Sequence, residues 1–371
     1  MLDHRGELHR AQRSVALGPA ADRESSPGRT GMTDVLVVGG GPVGLVTALQ
    51  LHRAGLQVRV LERRGVPVDK ACGEGLMPAA TRALAGLGVC PTGRPFTGIS
   101  YLDGSRRVLA PFRAGQGLGV RRTELSAALV EHAQAAAIPI ERISVTGVEQ
   151  GPGGVRAGGV RARYLVAADG LHSPIRRQLG LHQPAPAGRP PRWGLRRHYS
   201  LAPWSDQVEV YWSREAEAYV TPVAEDLVGV AVLTGRRCSF EESLTAFPQL
   251  HERLAGVSAG QVSGAGPLRQ RVRSRVAGRV LLVGDAAGYV DALTGEGLAV
   301  GFECARRLAD CLAAGRPDRY EQQWQQATRR YRWLTGALVT AAQNPLARRA
   351  IVPAADRLPW AYRQVVHQLA R

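Results

Sequence analysis

The sequence predicts an α/β fold: a doubly wound, largely parallel sheet carrying an inserted antiparallel sheet and a helical C-terminal end. Three observations carry that expectation. A strand, glycine turn, helix and second strand occupy 34–62; segments of alternating polarity crowd 190–235; and a second buried strand, in "RVLLVGDAAG", comes late, with helices from Leu298 onward.

Residues 1–31 are polar and lack periodicity, so the ordered protein is expected to begin at Met32, behind a disordered extension. Val35 to Val38 read as a buried strand. A glycine turn then opens a helix from Pro42 to Ala54, Gly55 stops it, and Val58 to Leu61 form the next strand. A helix is expected over 122–137 and Val-rich strands over 143–167. "QVEVYW" and "AYVTPVAEDLVGVAVL" alternate as half-buried antiparallel strands do. This divides the chain into a discontinuous nucleotide-binding part at 32–185 and 266–315, an antiparallel-sheet substrate part at 186–265, and a helical segment at 316–371.

The 371 residues carry a formal charge of +17, and Lys70 is the only lysine among 48 basic residues. No zinc-finger spacing, RNA-recognition signature or basic block with interleaved aromatics accompanies that charge, so nucleic acid is not an expected partner. No apolar run is long enough to cross a membrane and no signal-peptide pattern is present, which points to the cytoplasm. Arg329, Arg330, Arg332, Arg348 and Arg349, with Trp324, Trp333 and Trp360, read first as a solvated helical face and second as a peripheral membrane contact. Cys72, Cys90, Cys238, Cys304 and Cys311 are odd in number and scattered, so neither a metal site nor a disulfide framework is expected.

Gly39-x-Gly41-x-x-Gly44 lies between a strand and a helix, where a dinucleotide fingerprint belongs. Gly39 permits the tight turn, Gly41 lets a pyrophosphate approach the backbone, and Gly44 allows close helix–strand packing. Glu62, followed by Arg63, ends the second strand, where an acid accepts hydrogen bonds from an adenosine ribose. The unit alone does not separate a nicotinamide cofactor from a flavin.

Three later motifs do. With Arg122 in "GVRRTELSAALVEHA", Asp169 and Gly170 in "AADGLHSPIRRQLG", and Gly284 and Asp285 in "VLLVGDAAG", the chain resembles the flavoprotein superfamily that includes aromatic-ring hydroxylases and geranylgeranyl reductases. The resemblance implies a Rossmann-like FAD-binding domain of the GR2 type. It places Gly39, Gly41, Gly44, Glu62 and Arg63 at the ADP end of FAD, gives Arg122 a reach back to the cofactor, associates Asp169 and Gly170 with FAD and the approach of NAD(P)H, and sets Gly284 and Asp285 at the ribityl chain. One flavin is thus held at both ends, and NADPH or NADH visits transiently without a fingerprint of its own.

The helix opened by "LTGEGLAVGF" can aim backbone N–H groups near Gly295 and Gly297 at negative charge on a reduced flavin. A second loop, "DKACGEGLMP", echoes it, and both are expected beside the flavin ring with Cys72 facing substrate. Cys72, Tyr219, Pro222 and Trp212 are candidates for the substrate wall. His172 and His198 show no partner suggesting a catalytic pair. The residues after "GDAA" and the "CGEG" loop resemble the reductases more than the hydroxylases. The expected activity is therefore C=C reduction of an apolar small molecule by FAD and NAD(P)H, with FAD-dependent monooxygenation as the alternative and a non-enzymatic flavin-binding role a remote third. The oligomeric state is left open.

Overall fold

The computed structural model describes residues 32–113, 115–185, 188 and 190–369; the expected extension at 1–31 lies outside the described residues. In chain order, the elements that build the site begin with β1 (Thr33–Val38), α1 (Pro42–Arg53), β2 (Val58–Leu61), β3 (Gly98–Asp103), β4 (Arg106–Pro111) and α2 (Arg122–Ala135). Next come β5 (Ile140–Glu141), β6 (Val160–Ala167), α3 (Pro174–Gln178), β7 (Trp193–Tyr199), β8 (Val208–Trp212), β9 (Ala216–Ala224) and β10 (Leu227–Thr234). They end with β11 (Ser263–Ala265), β12 (Val276–Ala277), β13 (Val280–Leu282) and helices α4 (Gly297–Ala313), α5 (Tyr320–Gln343), α6 (Pro345–Arg357) and α7 (Pro359–Leu369).

The first sheet runs β12-β13-β6-β1-β2-β5, parallel from β13 to β5, with β12 antiparallel at the edge. Val35, Leu36 and Val37 are wholly buried because both faces of this sheet are covered, which is why the strand reads as an unbroken apolar run. Helix α1 lies against α2 and α4. Gly301 permits the close approach of α4, since a Cβ there would press on Val43 Cγ2 at 2.6 Å. From β1 the chain moves first to β2 on one side and later to β6 on the other. A crevice therefore opens at the carboxyl ends of β1 and β6, where the winding reverses.

The second sheet runs β11-β7-β10-β9-β8-β3-β4. Its extent differs from the expected 186–265, because β3 and β4 join from the first part of the chain through a parallel pairing of Val208 with Ile99. Alternation of polarity marks a strand but does not name its partner. One face packs Val208, Val210, Trp212 and Leu233 against Val339, Val352, Tyr362 and Val366 of the C-terminal helices. The other buries Tyr199, Val220, Val230 and Val232 under Phe240, Leu244 and Leu250. Each such side chain contributes roughly 1.5–3 kcal/mol, so both layers are fixed by apolar burial. Trp333 and Trp360 stay largely exposed, and among the described residues no helix is long and apolar enough to cross a membrane.

Candidate active site

A single cavity of about 930 Å³ starts at the crevice above β1 and β6 and runs to the face of the second sheet. Its first end is built by the glycine turn. Gly39 has φ +115°, and a Cβ on it would strike the carbonyl of Ala168, while one on Gly44 would strike the carbonyl of Gly39. These two glycines hold the turn against β6. Gly41 differs: the nearest atom to a Cβ on it is Arg122 Nη2, 4.0 Å away, so the space above it belongs to the cavity. Gly41 is also the N-cap of α1, and no side chain caps that end. The helix therefore offers its first N–H groups and positive dipole end to the cavity.

Glu62 ends β2 with 6% exposure and accepts from the N–H groups of Gly40 (2.7 Å) and Arg64 (3.0 Å). Arg63 is on the cavity wall beside it. Arg122, at the start of α2, is nine-tenths buried and its Nε meets no acceptor among the described residues.

Asp169 and Gly170 follow β6, and Gly284 and Asp285 follow β13; all four line the same cavity. Asp169 Oδ2 accepts from the Ile175 N–H at 3.2 Å, whereas Oδ1 is buried without a donor. Burial raises its pKa, opposed by hydrogen bonds from Ser173 and Ile175 and by the Arg176 charge. Asp285 Oδ2 pairs with Lys70 Nζ at 3.0 Å. Arg176 is wholly buried between the two turns. Its guanidinium donates to the carbonyls of Leu171 (2.8 Å), Ala286 (3.1 Å) and Asp285 (3.3 Å) and to Gln270 Oε1 (2.7 Å). Sequence reading missed it: one arginine in an arginine-rich chain carries no mark of burial.

A strap formed by 69–75 crosses the cavity. Asp69 pairs with Arg196 (2.7 Å), and the Gly73 carbonyl accepts from Thr221 Oγ1 (2.8 Å). The buried Glu74 carboxylate accepts from the Arg122 N–H (2.9 Å) and lies 2.6 Å from His198 Nε2. Glu74 holds φ +59°, a left-handed conformation that a non-glycine residue keeps only when its surroundings impose it. Cys72 is thereby presented at the wall, as are Gly295 and Gly297, so both glycine loops reach one cavity. A Cβ on Gly73 would meet nothing within 4 Å, so packing does not demand glycine there. His198 takes a hydrogen-bonded role, one of the two its sequence context suggested, on a carboxylate 124 residues away that the sequence did not single out. His172 lines the cavity with its pKa lowered by burial and by Arg177.

Beyond the strap the wall is apolar: Phe96, Ile99, Tyr101, Val208, Val210, Leu233, Leu268, Leu293 and Val366. Tyr219 lines it too and donates to the Leu293 carbonyl at 2.9 Å. Two expected wall residues are elsewhere. Pro222 falls on the opposite face of β9 from Tyr219 and Thr221, beside Trp204 in a separate small depression, because side chains alternate along a strand. Trp212 shares the face of Val208 and Val210 but lies behind Tyr101, with ring centroids 5.5 Å apart. Behind this wall, Glu217 pairs with Arg192 (2.6 Å) and Arg348 (2.6 Å), and Arg192 also faces Asp291 (3.3 Å). All four are buried.

Glu296, the N-cap of α4, is buried with Oε2 unpartnered, and burial lifts its pKa to about 8 against the opposing effects of Arg330 and Thr294. The folded protein thus keeps a proton that the unfolded chain releases above its ordinary pKa of 4.5. Stability should fall as pH rises from about 4.5 to 8, by up to about 1.4 kcal/mol per pH unit. Urea unfolding of Glu296→Gln should lack that slope between pH 5 and 8; parallel pH profiles for the variant and the parent would contradict the assignment.

Residues 32–322 match the FAD binding domain family. Dialkyldecalin synthase of Streptomyces rugosporus is 30% identical over 76% of this chain and 65% of its own length, so the chain spans less than two thirds of that relative. Digeranylgeranylglycerophospholipid reductase 1 of Methanopyrus kandleri is 31% identical over 80% of this chain and 87% of its own. A flavoprotein/dehydrogenase from Cytophaga hutchinsonii shares the fold, with a TM-score of 0.78 at 18% identity over 91% of this chain and 92% of that one.

Proposed function

Because this chain belongs to the FAD binding domain family, among flavoprotein oxidoreductases that include digeranylgeranylglycerophospholipid reductases and aromatic hydroxylases, we propose that it reduces a carbon–carbon double bond of an apolar small molecule with NADPH or NADH as electron donor. The cavity fits FAD on its own evidence. The uncapped α1 end above Gly41, the unpartnered Arg122 Nε and the donorless Asp169 Oδ1 are all complementary to a dinucleotide.

In this reading Gly39, Gly41, Gly44, Glu62 and Arg63 hold the adenosine end and Arg122 the diphosphate. Asp169, Gly170, Gly284 and Asp285 flank the flavin half, and Gly295 and Gly297 present the α4 N-terminus to it. Bound FAD, reduced by NAD(P)H, would supply the hydride, and solvent water the proton that completes the saturated bond. The chain's own contribution is orientation, a positive helix end and an apolar wall. The observation that carries the reading is the wall contributed by β3, β8 and α7, which bears no charged side chain: Ile99, Tyr101, Val208, Val210 and Val366. Such a surface selects an uncharged, apolar body, and Tyr219, whose pKa burial holds well above its usual value, offers it no ready proton.

A second reading is redox-neutral ring closure between a diene and an alkene of one polyene substrate, favoured by the similarity to dialkyldecalin synthase and to the Diels-Alderase PyrE3 and by the same uncharged wall. Anaerobic addition of NADPH to the FAD-loaded protein decides between these readings. Prompt bleaching of the flavin without substrate is expected. A flavin that stays oxidised until an aromatic ligand is added, and that hydroxylates the ligand once oxygen is admitted, replaces reduction by monooxygenation. Conversion of a polyene without NADPH consumption replaces it by ring closure.

A further inference from the structure

Every basic side chain but one in this protein is arginine or, at nine positions, histidine; the exception is Lys70. It occupies a closely defined place. Lys70 Nζ lies 3.0 Å from Asp285 Oδ2, and both side chains, 30% and 31% exposed, form part of the cavity wall. A Cβ on Gly170 would come within 3.8 Å of the same nitrogen. The ammonium therefore joins the strap to the turn after β13 and flanks the turn after β6.

The choice of lysine has a chemical meaning at this position. An ammonium carries three N–H donors pointing in different directions, and Asp285 is the one hydrogen-bond partner of Nζ among the described residues. A guanidinium facing the same carboxylate would commit two of its five donors to a planar fork and hold the other three in that same fixed plane. Lysine leaves two donors that can turn about the Cε–Nζ bond toward whatever occupies the cavity. Arg196, also on the wall, is already held by Asp69 and does not duplicate this arrangement.

We propose that Lys70 contacts the cofactor, donating its remaining N–H groups to an electron-rich acceptor of bound FAD and holding the reduced, more negative form more tightly than the oxidised form. The proposal rests on the FAD reading above. Its consequence is a flavin whose potential is set partly by one titratable side chain reaching over from the strap.

Because Lys70 is the only side-chain amine, acetylation with an N-hydroxysuccinimide ester followed by peptide mass spectrometry reads this residue alone. FAD at saturation should slow acetylation of Lys70 at least tenfold. Spectroelectrochemistry then tests the redox preference. Lys70→Met should weaken reduced-flavin binding about tenfold more than oxidised-flavin binding, a fall of roughly 30 mV for a two-electron couple, and Lys70→Arg should recover part of it. A potential unchanged in Lys70→Met overturns the proposal, as does equal loss of both redox forms, which puts the contact on the diphosphate or ribityl chain. If Lys70→Met does not hold flavin, the protection experiment on the unaltered protein still decides: bound FAD that leaves Lys70 equally reactive defeats this inference alone. Protein that binds no FAD defeats the functional reading beneath it.

Discussion

Glu217→Gln is expected to destabilise the protein by roughly 3–5 kcal/mol, the usual cost of removing one partner from a buried ion pair. Glu217 is wholly buried and neutralises two guanidiniums, those of Arg192 and Arg348. With the charge gone, Asp291 can compensate only Arg192, and Arg348 keeps hydrogen bonds to the carbonyls of Ser213, Ala216 and Ala342 but no counter-ion. Combining Glu217→Gln with Arg348→Met removes the orphaned cation, so urea unfolding of the double variant should show recovery of about 1–3 kcal/mol over simple addition. Strict additivity would mean that the four groups do not act as a unit. The loss should reach the cavity as well, since Asp291 belongs to the segment that carries Leu293 and Gly295.

Gly44→Ala and Gly41→Ala should separate packing from binding. A Cβ on Gly44 meets the Gly39 carbonyl, which is backbone and cannot swing aside, and Ala168 Cβ at 3.2 Å. That variant should lose both thermal stability and FAD affinity. A Cβ on Gly41 only reaches Arg122 Nη2 at 4.0 Å, so this variant should melt as the parent does while FAD binding weakens about a hundredfold, or roughly 2.7 kcal/mol. Isothermal titration with FAD, paired with thermal unfolding, measures both. Tight FAD binding by Gly41→Ala would remove the pyrophosphate from the α1 N-terminus.

The readable parts of the molecule are those where chemistry is local along the chain. An apolar run, a glycine spacing and an acid after the next strand lie within thirty residues, and β1, α1 and β2 form where that pattern places them. The turns after β6 and β13 were likewise marked by short motifs, though far apart. What escaped was contact between distant, individually ordinary residues. Lys70 meets Asp285 across 215 positions, and Glu74 meets His198 across 124. Arg176 looks like any of its many fellow arginines until four acceptors converge on it. The Pro222 and Trp212 misplacements have a simpler cause: residue type suggested a wall, whereas strand parity and the intervening ring of Tyr101 decided which side chains reach it.

Helix α7 closes the apolar end of the cavity through Val366, with Tyr362 donating to the Ile99 carbonyl at 3.3 Å. The other wall residues are all encoded by Leu298, so on the ribosome the cavity stays one-sided while the intervening residues are added, roughly 3–14 s at ordinary rates. During that interval Ile99, Val208 and Val210 face water or a chaperone. Completion of the binding chamber is thus a late event of synthesis, and ribosome stalling between Leu298 and Val366 should yield chains that carry the nucleotide turn yet leave their oily half uncovered.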